Sequence, residues 1–241
     1  MKVYAISDVG KVRPINEDSD YLPQEGEQFC AVADGMGGHN AGEVASAMAV
    51  ETFAKVMRSA GKASGAALHT AVTRANEAVF EEAGRDPGKS GMGTTFTALS
   101  ELEGSVHIAH VGDSRAYLIR NGAIMRVTMD HTLVEEMVIQ GLITVREARV
   151  HPQRNYVTRA LGTRRRVDVD LIQLESRPDD VYLLCTDGLS NHVEEKDMLA
   201  VTLSQDMDWD EKLRRMLQLA LDAGGPDNIT AMYVTFEEEH S

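Results

Sequence analysis

Three apolar runs in this chain end on an aspartate beside a glycine. Phe29-Cys30-Ala31-Val32-Ala33 leads into Asp34-Gly35, Val106-His107-Ile108-Ala109-His110-Val111 into Gly112-Asp113, and Tyr182-Leu183-Leu184-Cys185-Thr186 into Asp187-Gly188. A fourth acid, Asp227, follows Gly224-Gly225-Pro226 and precedes the last apolar run at Asn228. Any one of these is explained by turn chemistry, since Asp and Gly are common turn residues. Together they constrain the fold, because apolar strands that deliver several carboxylates to one end of a sheet build a negative charge that needs a cation. No Cys or His cluster with zinc spacing accompanies them, so a hard ion such as Mg²⁺ or Mn²⁺ suits the donor set.

The rest of the chain reads as β-rich. Strands are predicted at 2–7, 28–33, 94–102, 105–111, 115–120, 123–128, 167–174, 180–186 and 229–236. Asn121-Gly122 supplies the positive φ of a tight hairpin between two of them. Helical periodicity appears around Ala45–Val56, Leu68–Val79 and Leu213–Leu221, and more weakly from Leu133 to Gln140. Helices grouped between blocks of antiparallel strands predict an α+β layering instead of a doubly wound parallel sheet. Residues 84–93 read as a loop, and no linker or repeat divides the chain, so a single domain over 1–241 is expected. The net charge of −14 opposes nucleic acid and anionic lipid as partners. No apolar stretch approaches the roughly 18 residues of a membrane span. Cys30 and Cys185 sit in apolar runs as buried, unpaired thiols, which together with the N-terminal sequence implies a reduced cytoplasmic setting.

Two further segments bear on chemistry. Arg13-Pro14-Ile15-Asn16-Glu17-Asp18 places an arginine fork, suited to phosphate oxygens, four residues before an acid that would hold it; a surface turn with an ion pair is the plainer reading. Asp34-Gly35-Met36-Gly37-Gly38-His39 lets the backbone approach an ion closely and sets His39 beside it, where a histidine can donate a proton at neutral pH. A P-loop at Gly88-Lys89-Ser90 fails on spacing, and a nucleophile elbow at Ser114 lacks its final glycine and following helix.

These segments resemble, in order along the whole chain, the metal-dependent serine/threonine protein phosphatases of type 2C, the PPM family. The residues that carry the resemblance are Arg13 to Asp18, Val32 to His39, Gly91-Met92-Gly93-Thr94-Thr95, Gly112 to Tyr117, Asp130-His131, Thr186 to Leu189, and Gly225 to Thr230. The Met-Gly-Gly-His form and the compact length are similar to the bacterial branch. The resemblance implies an αββα sandwich of two central antiparallel sheets flanked by helices, with two Mn²⁺ or Mg²⁺ ions between the sheet edges. It implies that Asp34 bridges both ions, that the Gly35 carbonyl binds one, and that Asp187 and Asp227 bind the other. Glu17 and Asp18 match acids that hold metal-bound waters, Arg13 the phosphate-binding arginine, Asn228 a supporting residue, and His39 the general acid. The implied activity is hydrolysis of phosphoserine and phosphothreonine on proteins by a metal-activated water, opposing a bacterial serine/threonine kinase, in a monomeric cytoplasmic enzyme.

Asp113 matches an acid that helps bind a third, weaker ion, but Asn191 stands where relatives often carry another acid. Residues 131–161 match a flap beside the catalytic centre. Its Arg146, Arg149, Arg154 and Arg159 are suited to an acidic phosphopeptide, or are simply solvated charges, and Arg164-Arg165-Arg166 reads as a solvated run. The competing reading is a catalytically silent binding protein, whose mark would be loss of acids that Asp34, Asp187 and Asp227 here retain.

Overall fold

In this computed structural model, which describes residues 1–37 and 41–236, the central strands are buried on both faces, and that single property sets the layers. In β3 (Phe29–Met36) Cys30 and Val32 point one way and Ala31 and Ala33 the other; in β10 (Val181–Cys185) Tyr182 and Leu184 oppose Leu183 and Cys185. The period of two therefore sorts each strand between two different cores.

One antiparallel sheet has the order β1 (Lys2–Asp8), β11 (Ile229–Thr235), β10, β7 (Arg115–Arg120), β8 (Ala123–Arg126). The other runs β2 (Asp18–Tyr21), β3, β5 (Phe96–Leu102), β6 (Ser105–Val111), β9 (Asp170–Glu175), with the short β4 (Gly93–Thr94) paired to β3. A central core of Cys30, Val32, Leu99, Ile108, Leu118, Tyr182, Leu184 and Met232 lies between the sheets. Outside the second sheet, Ala31, Ala33 and Ala98 pack under α1 (Ala41–Ala60) and α2 (Gly65–Arg85). Outside the first, Leu183, Cys185, Ala231 and Tyr233 meet α5 (Asp187–Ser190), α6 (Glu195–Leu203) and α7 (Trp209–Asp222). The αββα sandwich and the α+β class are thus observed. Two short helices, α3 (Leu133–Ile139) and α4 (Val145–Ala148), occupy the 131–161 segment.

Several predicted boundaries are corrected. The strand ending at Ala33 continues through Asp34 and Gly35 to Met36, because β2 and β4 offer partners there: Asp18 pairs with Asp34 and Thr94 with Gly35. β2 itself, Asp-Ser-Asp-Tyr, has no apolar alternation to announce it and exists as an edge strand by that pairing. The run 94–102 is interrupted at Thr95, whose N–H turns to the carbonyl of Asp34. Asp187-Gly188 is not a bare turn but the first turn of α5. In the 84–93 segment α2 continues to Arg85, followed by a 3₁₀ turn at Pro87–Lys89. Two further helices went unpredicted: α4 is four residues long and buries none of them, and α6 buries only Met198, Val201 and Thr202, too sparse a stripe to show a period. The hairpin at Asn121 and Gly122 has φ of 52° and 74°, as the dipeptide predicts. Cys30 and Cys185 are buried and unpaired, and no helix among the described residues is long and apolar enough to cross a membrane.

The seat of α5 tests this packing. A Cβ on Gly188 would stand 1.9 Å from the carbonyl oxygen of Asn228, so Gly188→Ala must push the helix off the start of β11. The expected result is a fall in Tm of roughly 2–12 °C, since overpacking costs about 1–3 kcal/mol and each kcal/mol moves Tm by about 2–4 °C in a chain of this size. An unchanged melting curve by circular dichroism would contradict this seat.

Candidate metal centre

The acids converge where the two sheets meet, not at one end of a single sheet as the strand pattern suggested. Asp18 and Asp34 face each other across the β2–β3 pair. Asp187 opens α5 directly after β10, Asp227 lies in the turn before the neighbouring β11, and Asp113 follows β6. The sheets are tied at this point by Asp18. Its Oδ2 accepts hydrogen bonds from Thr186 Oγ1 at 2.8 Å and Thr230 Oγ1 at 2.7 Å, both from the opposite sheet. Its other oxygen, Oδ1, is buried with no hydrogen-bond partner. A buried carboxylate oxygen without a donor is costly unless a cation, or a water that a cation holds, meets it.

Burial is the main cause of the acids' altered titration, and mutual repulsion adds to it. Asp34 is held well above the usual carboxylate range by burial and then by the charges of Asp18, Asp187, Asp113 and Asp227. Burial lifts Asp113 to about 8, with Asp187 and Asp130 adding to it and Arg115 opposing. Asp18 is pushed up to about 7 by burial, against the hydrogen bonds from Thr230 and Thr186. Asp187 is raised to about 6 by burial and Asp227, against a hydrogen bond from Asp34. Glu17 is raised by burial, while Arg13 and the Gly42 N–H pull the other way.

Among the described residues no three His, Cys, Asp or Glu side chains already close around one point. Asp227 Oδ2 accepts from Arg13 Nη2 at 2.9 Å, and Asp187 Oδ2 from Asn191 Nδ2 at 3.1 Å. The fit of a cation therefore rests on the orphaned Asp18 oxygen, the mutual repulsion of the buried acids and an all-oxygen donor set, which together suit a hard divalent ion.

The structure places the other predicted residues as follows. Arg13 is 45% exposed in its side chain and held by Asp227, with Glu17 Oε2 at 3.7 Å from Nη1. Asn228 spends its whole amide on the N-terminal segment: Oδ1 accepts from the Glu17 N–H at 2.8 Å, and Nδ2 donates to the carbonyls of Val9 and Ile15 at 2.9 Å each. Gly35 has no room for a side chain, since a Cβ would lie 2.1 Å from the Gly42 carbonyl oxygen and 2.5 Å from that of Glu17. Asn191 bonds Asp187, four residues earlier. His39 lies outside the described residues.

Sequence reasoning gave no role to the hydroxyls and the histidine that hold these acids. Thr95 donates its N–H to the Asp34 carbonyl and accepts the Asp34 N–H on Oγ1, both at 2.9 Å, while the same oxygen meets Ser114 Oγ at 2.7 Å. His131 clamps the other side of the Asp113 turn. Its N–H donates to the Gly112 carbonyl at 2.7 Å and its Nδ1 accepts the Gly112 N–H at 3.0 Å, which leaves the Nε2 proton for Asp170 at 3.1 Å. These residues lie inside the motif runs, but being uncharged or singly placed they give no signal of a partner distant in sequence.

Comparison with known proteins gives a consistent result. The family model for protein phosphatase 2C matches residues 16–232. The serine/threonine protein phosphatase PstP of Mycobacterium tuberculosis is 41% identical over 233 residues, 96% of this chain and 44% of that protein. The chain thus spans less than half the length of that relative. The crystal structure of the Mycobacterium tuberculosis serine/threonine phosphatase PstP/Ppp superposes with a TM-score of 0.91 at 40% identity, covering 98% of this chain and 99% of that one. The catalytic domain of PstP in complex with 2 manganese ions gives 0.85 at 38% identity, covering 96% of each chain.

The raised acids fix the sign of a pH effect on stability. Asp18, Asp187 and Asp113 titrate near 7, 6 and 8 when folded against 3.8 for an ordinary aspartate, so the folded state binds protons more tightly than the unfolded chain. Stability from these groups is full below the ordinary carboxylate range and is lost as pH rises through the folded values. With chelator, Tm should fall between about pH 5 and about pH 8, and Mn²⁺ should restore it most at the upper end. A Tm that is flat or rises with pH in chelator would show that the acids do not share one buried site.

Proposed function

This chain belongs to the protein phosphatase 2C family, and we propose that it hydrolyses phosphoserine and phosphothreonine on proteins in a divalent-cation-dependent reaction, acting in the cytoplasm as a monomer opposite a serine/threonine kinase. Residues 1–241 act in this reading as one catalytic domain with a flap at about 131–161. The observation that carries it is the buried carboxylate group with an unpartnered Asp18 oxygen beside an acid-held, exposed arginine.

In this assignment Asp34, the Gly35 carbonyl, Asp187 and Asp227 would hold two core ions, Mn²⁺ or Mg²⁺, with Asp34 common to both. Glu17 and Asp18 are outer acids, and Asp113 contributes to a third, weaker ion for which Asn191 offers no charge. When bound, such ions supply Lewis-acid chemistry, lowering the pKa of water and offsetting phosphoryl charge. Arg13 binds the phosphoryl oxygens. Its guanidinium is oriented by Asp227 and Glu17, and its exposed side chain keeps N–H groups available to an incoming dianion. Asn228 fixes the segment bearing Arg13 and Glu17 by bonding three of its backbone groups. His39 donates the proton to the leaving seryl or threonyl oxygen, a role drawn from its place in the Met-Gly-Gly-His run.

Phosphate release from phosphothreonine peptides should require Mn²⁺ or Mg²⁺ and cease with EDTA, and Asp34→Asn should lose most of it, at least about a hundredfold, by removing a charged ligand. Full turnover in metal-free protein would defeat the assignment. Arg13→Ala should raise KM by about tenfold or more, because the fork contacts phosphate in the ground state as well; an unchanged KM removes Arg13 from that role. For His39→Ala the expected loss of kcat, about tenfold or greater, is confined to phosphopeptides and spares p-nitrophenyl phosphate, whose leaving group needs little protonation. Equal losses on both substrates would assign His39 to support of the site instead.

A further inference from the structure

Between α3 and the segment 158–168 lies a cavity of about 350 Å³, lined among others by Glu136, Arg159, Arg164, Arg166 and Asp168. Two of its charges are already engaged. Arg159 Nη1 donates to Asp170 Oδ1 at 2.6 Å, and Glu136 Oε1 accepts from Thr158 Oγ1 at 2.7 Å. Arg164 and Arg166 are exposed and have no ion-pair or side-chain hydrogen-bond partner among the described residues. The lining thus offers two uncommitted guanidinium forks beside two carboxylates, Asp168 and Glu136, the latter bonded only by a neutral hydroxyl, in a chain whose net charge is −14.

The backbone that carries these arginines is held in place. Asn76, fully buried on α2, accepts the Gly162 N–H at 2.9 Å and donates to the carbonyls of Arg164 and Arg165 at 3.1 and 3.2 Å. Gly162 adopts φ +83°, and a Cβ there would strike Val79 at 2.4 Å. A buried amide spent entirely on one loop presents the side chains of that loop in a defined direction, unlike an ordinary solvated charge run. The same loop is anchored to the metal-centre strands. Leu161 and Thr94 exchange both backbone hydrogen bonds, at 2.9 and 3.1 Å, and Thr94 Oγ1 donates to the Asp34 carbonyl at 2.9 Å.

We propose that this cavity is a substrate subsite for an acidic group, a carboxylate or a second phosphoryl, carried by the phosphoprotein near the residue to be dephosphorylated. The proposal rests on the phosphatase reading above. Arginine forks bind both groups bidentately, which gives orientation as well as attraction. Arg164 and Arg166 are then specificity-determining residues, and the contribution is local, since bulk repulsion from distant acids is screened beyond about 8–10 Å at physiological salt.

The test uses matched phosphothreonine peptides with neutral flanks, with Asp and Glu flanks, and with a second phosphothreonine, alongside p-nitrophenyl phosphate, all with Mn²⁺. The full chain should prefer the acidic or doubly phosphorylated peptides by about tenfold in kcat/KM, mostly through KM, and lose that preference at high salt. Arg164→Glu with Arg166→Glu should abolish the preference while turnover of the neutral peptide changes less than about twofold. Which of the two acidic arms gains more tells carboxylate from phosphoryl. Absence of any preference in the full chain, or an equal loss on neutral and acidic peptides in the variant, overturns the subsite. Failure to hydrolyse even the neutral peptide and p-nitrophenyl phosphate with Mn²⁺ defeats the phosphatase reading itself. Because both arginines are exposed, the variant should melt with the parent protein; a Tm drop together with equal losses would assign the loop a structural role and likewise overturn the proposal.

Discussion

A half-satisfied buried carboxylate holds this architecture together. Asp18 sits on an edge strand of one sheet and takes both of its hydrogen bonds from threonines of the other, Thr186 and Thr230, which are 168 and 212 residues away in sequence. The sandwich closes with this acid inside. Closing it also brings Asp34, opposite Asp18 in the strand register, against Asp187 and Asp227 from the far sheet. The packing that buries the central core between the sheets therefore forces like charges together, and a cation relieves what hydrogen bonds at one oxygen cannot. Fold and site share one constraint: the two layers cannot approach without creating the anionic centre.

From that staple the support spreads through short hydrogen bonds. Thr95 grips the backbone of Asp34 from both sides and reaches Ser114, so the turn carrying Asp113 is tied to the strand carrying Asp34. On the opposite side of that turn His131 pairs with Gly112 through its backbone and its ring. His131 also accepts the Thr158 N–H at 2.8 Å on its carbonyl, which joins the two ends of the segment 131–158 to the Asp113 turn. Asp170 and Arg159 complete the chain of contacts by fixing the ring's tautomer. A segment seated through the backbone of an acid-bearing turn has its position set by the same hydrogen bonds that set that acid's.

The class of fold and the identities of the acids were legible because they rest on local patterns: apolar runs of strand length, an Asn-Gly hairpin, and Asp-Gly punctuation. Partnerships were not. Asp18 looked like an outlying acid in an N-terminal turn, and nothing in Asp-Ser-Asp-Tyr signals an edge strand whose partner is Asp34. Thr186 and Thr230 stood inside conspicuous runs, yet a hydroxyl's role depends on which carboxylate the tertiary structure sets beside it. Likewise Asn76, the one polar residue among the buried positions of α2, revealed its purpose only once the arginine loop 88 residues ahead was seen folded over it. The run Arg164-Arg165-Arg166, solvated by any local reading, changes meaning for the same reason.

The strand period also explains why the site is restricted to oxygen donors although a cysteine lies two residues from Asp187. Cys185 ends β10 with its sulfur in the core facing α5 to α7, and burial pushes its thiol up to about 12. Cys30 is turned into the central core and is raised to about 12 by the same cause. Neither can supply the thiolate that soft-metal coordination needs. Beyond Cys185 the chain leaves the ladder: Thr186 exchanges bonds with Thr230, and α5 begins at Asp187, which turns the carboxylate out of the alternation and toward Asp34. Strand alternation keeps the sulfur out and the break in it brings the carboxylate in, so the preference for a hard cation is written into where β10 stops.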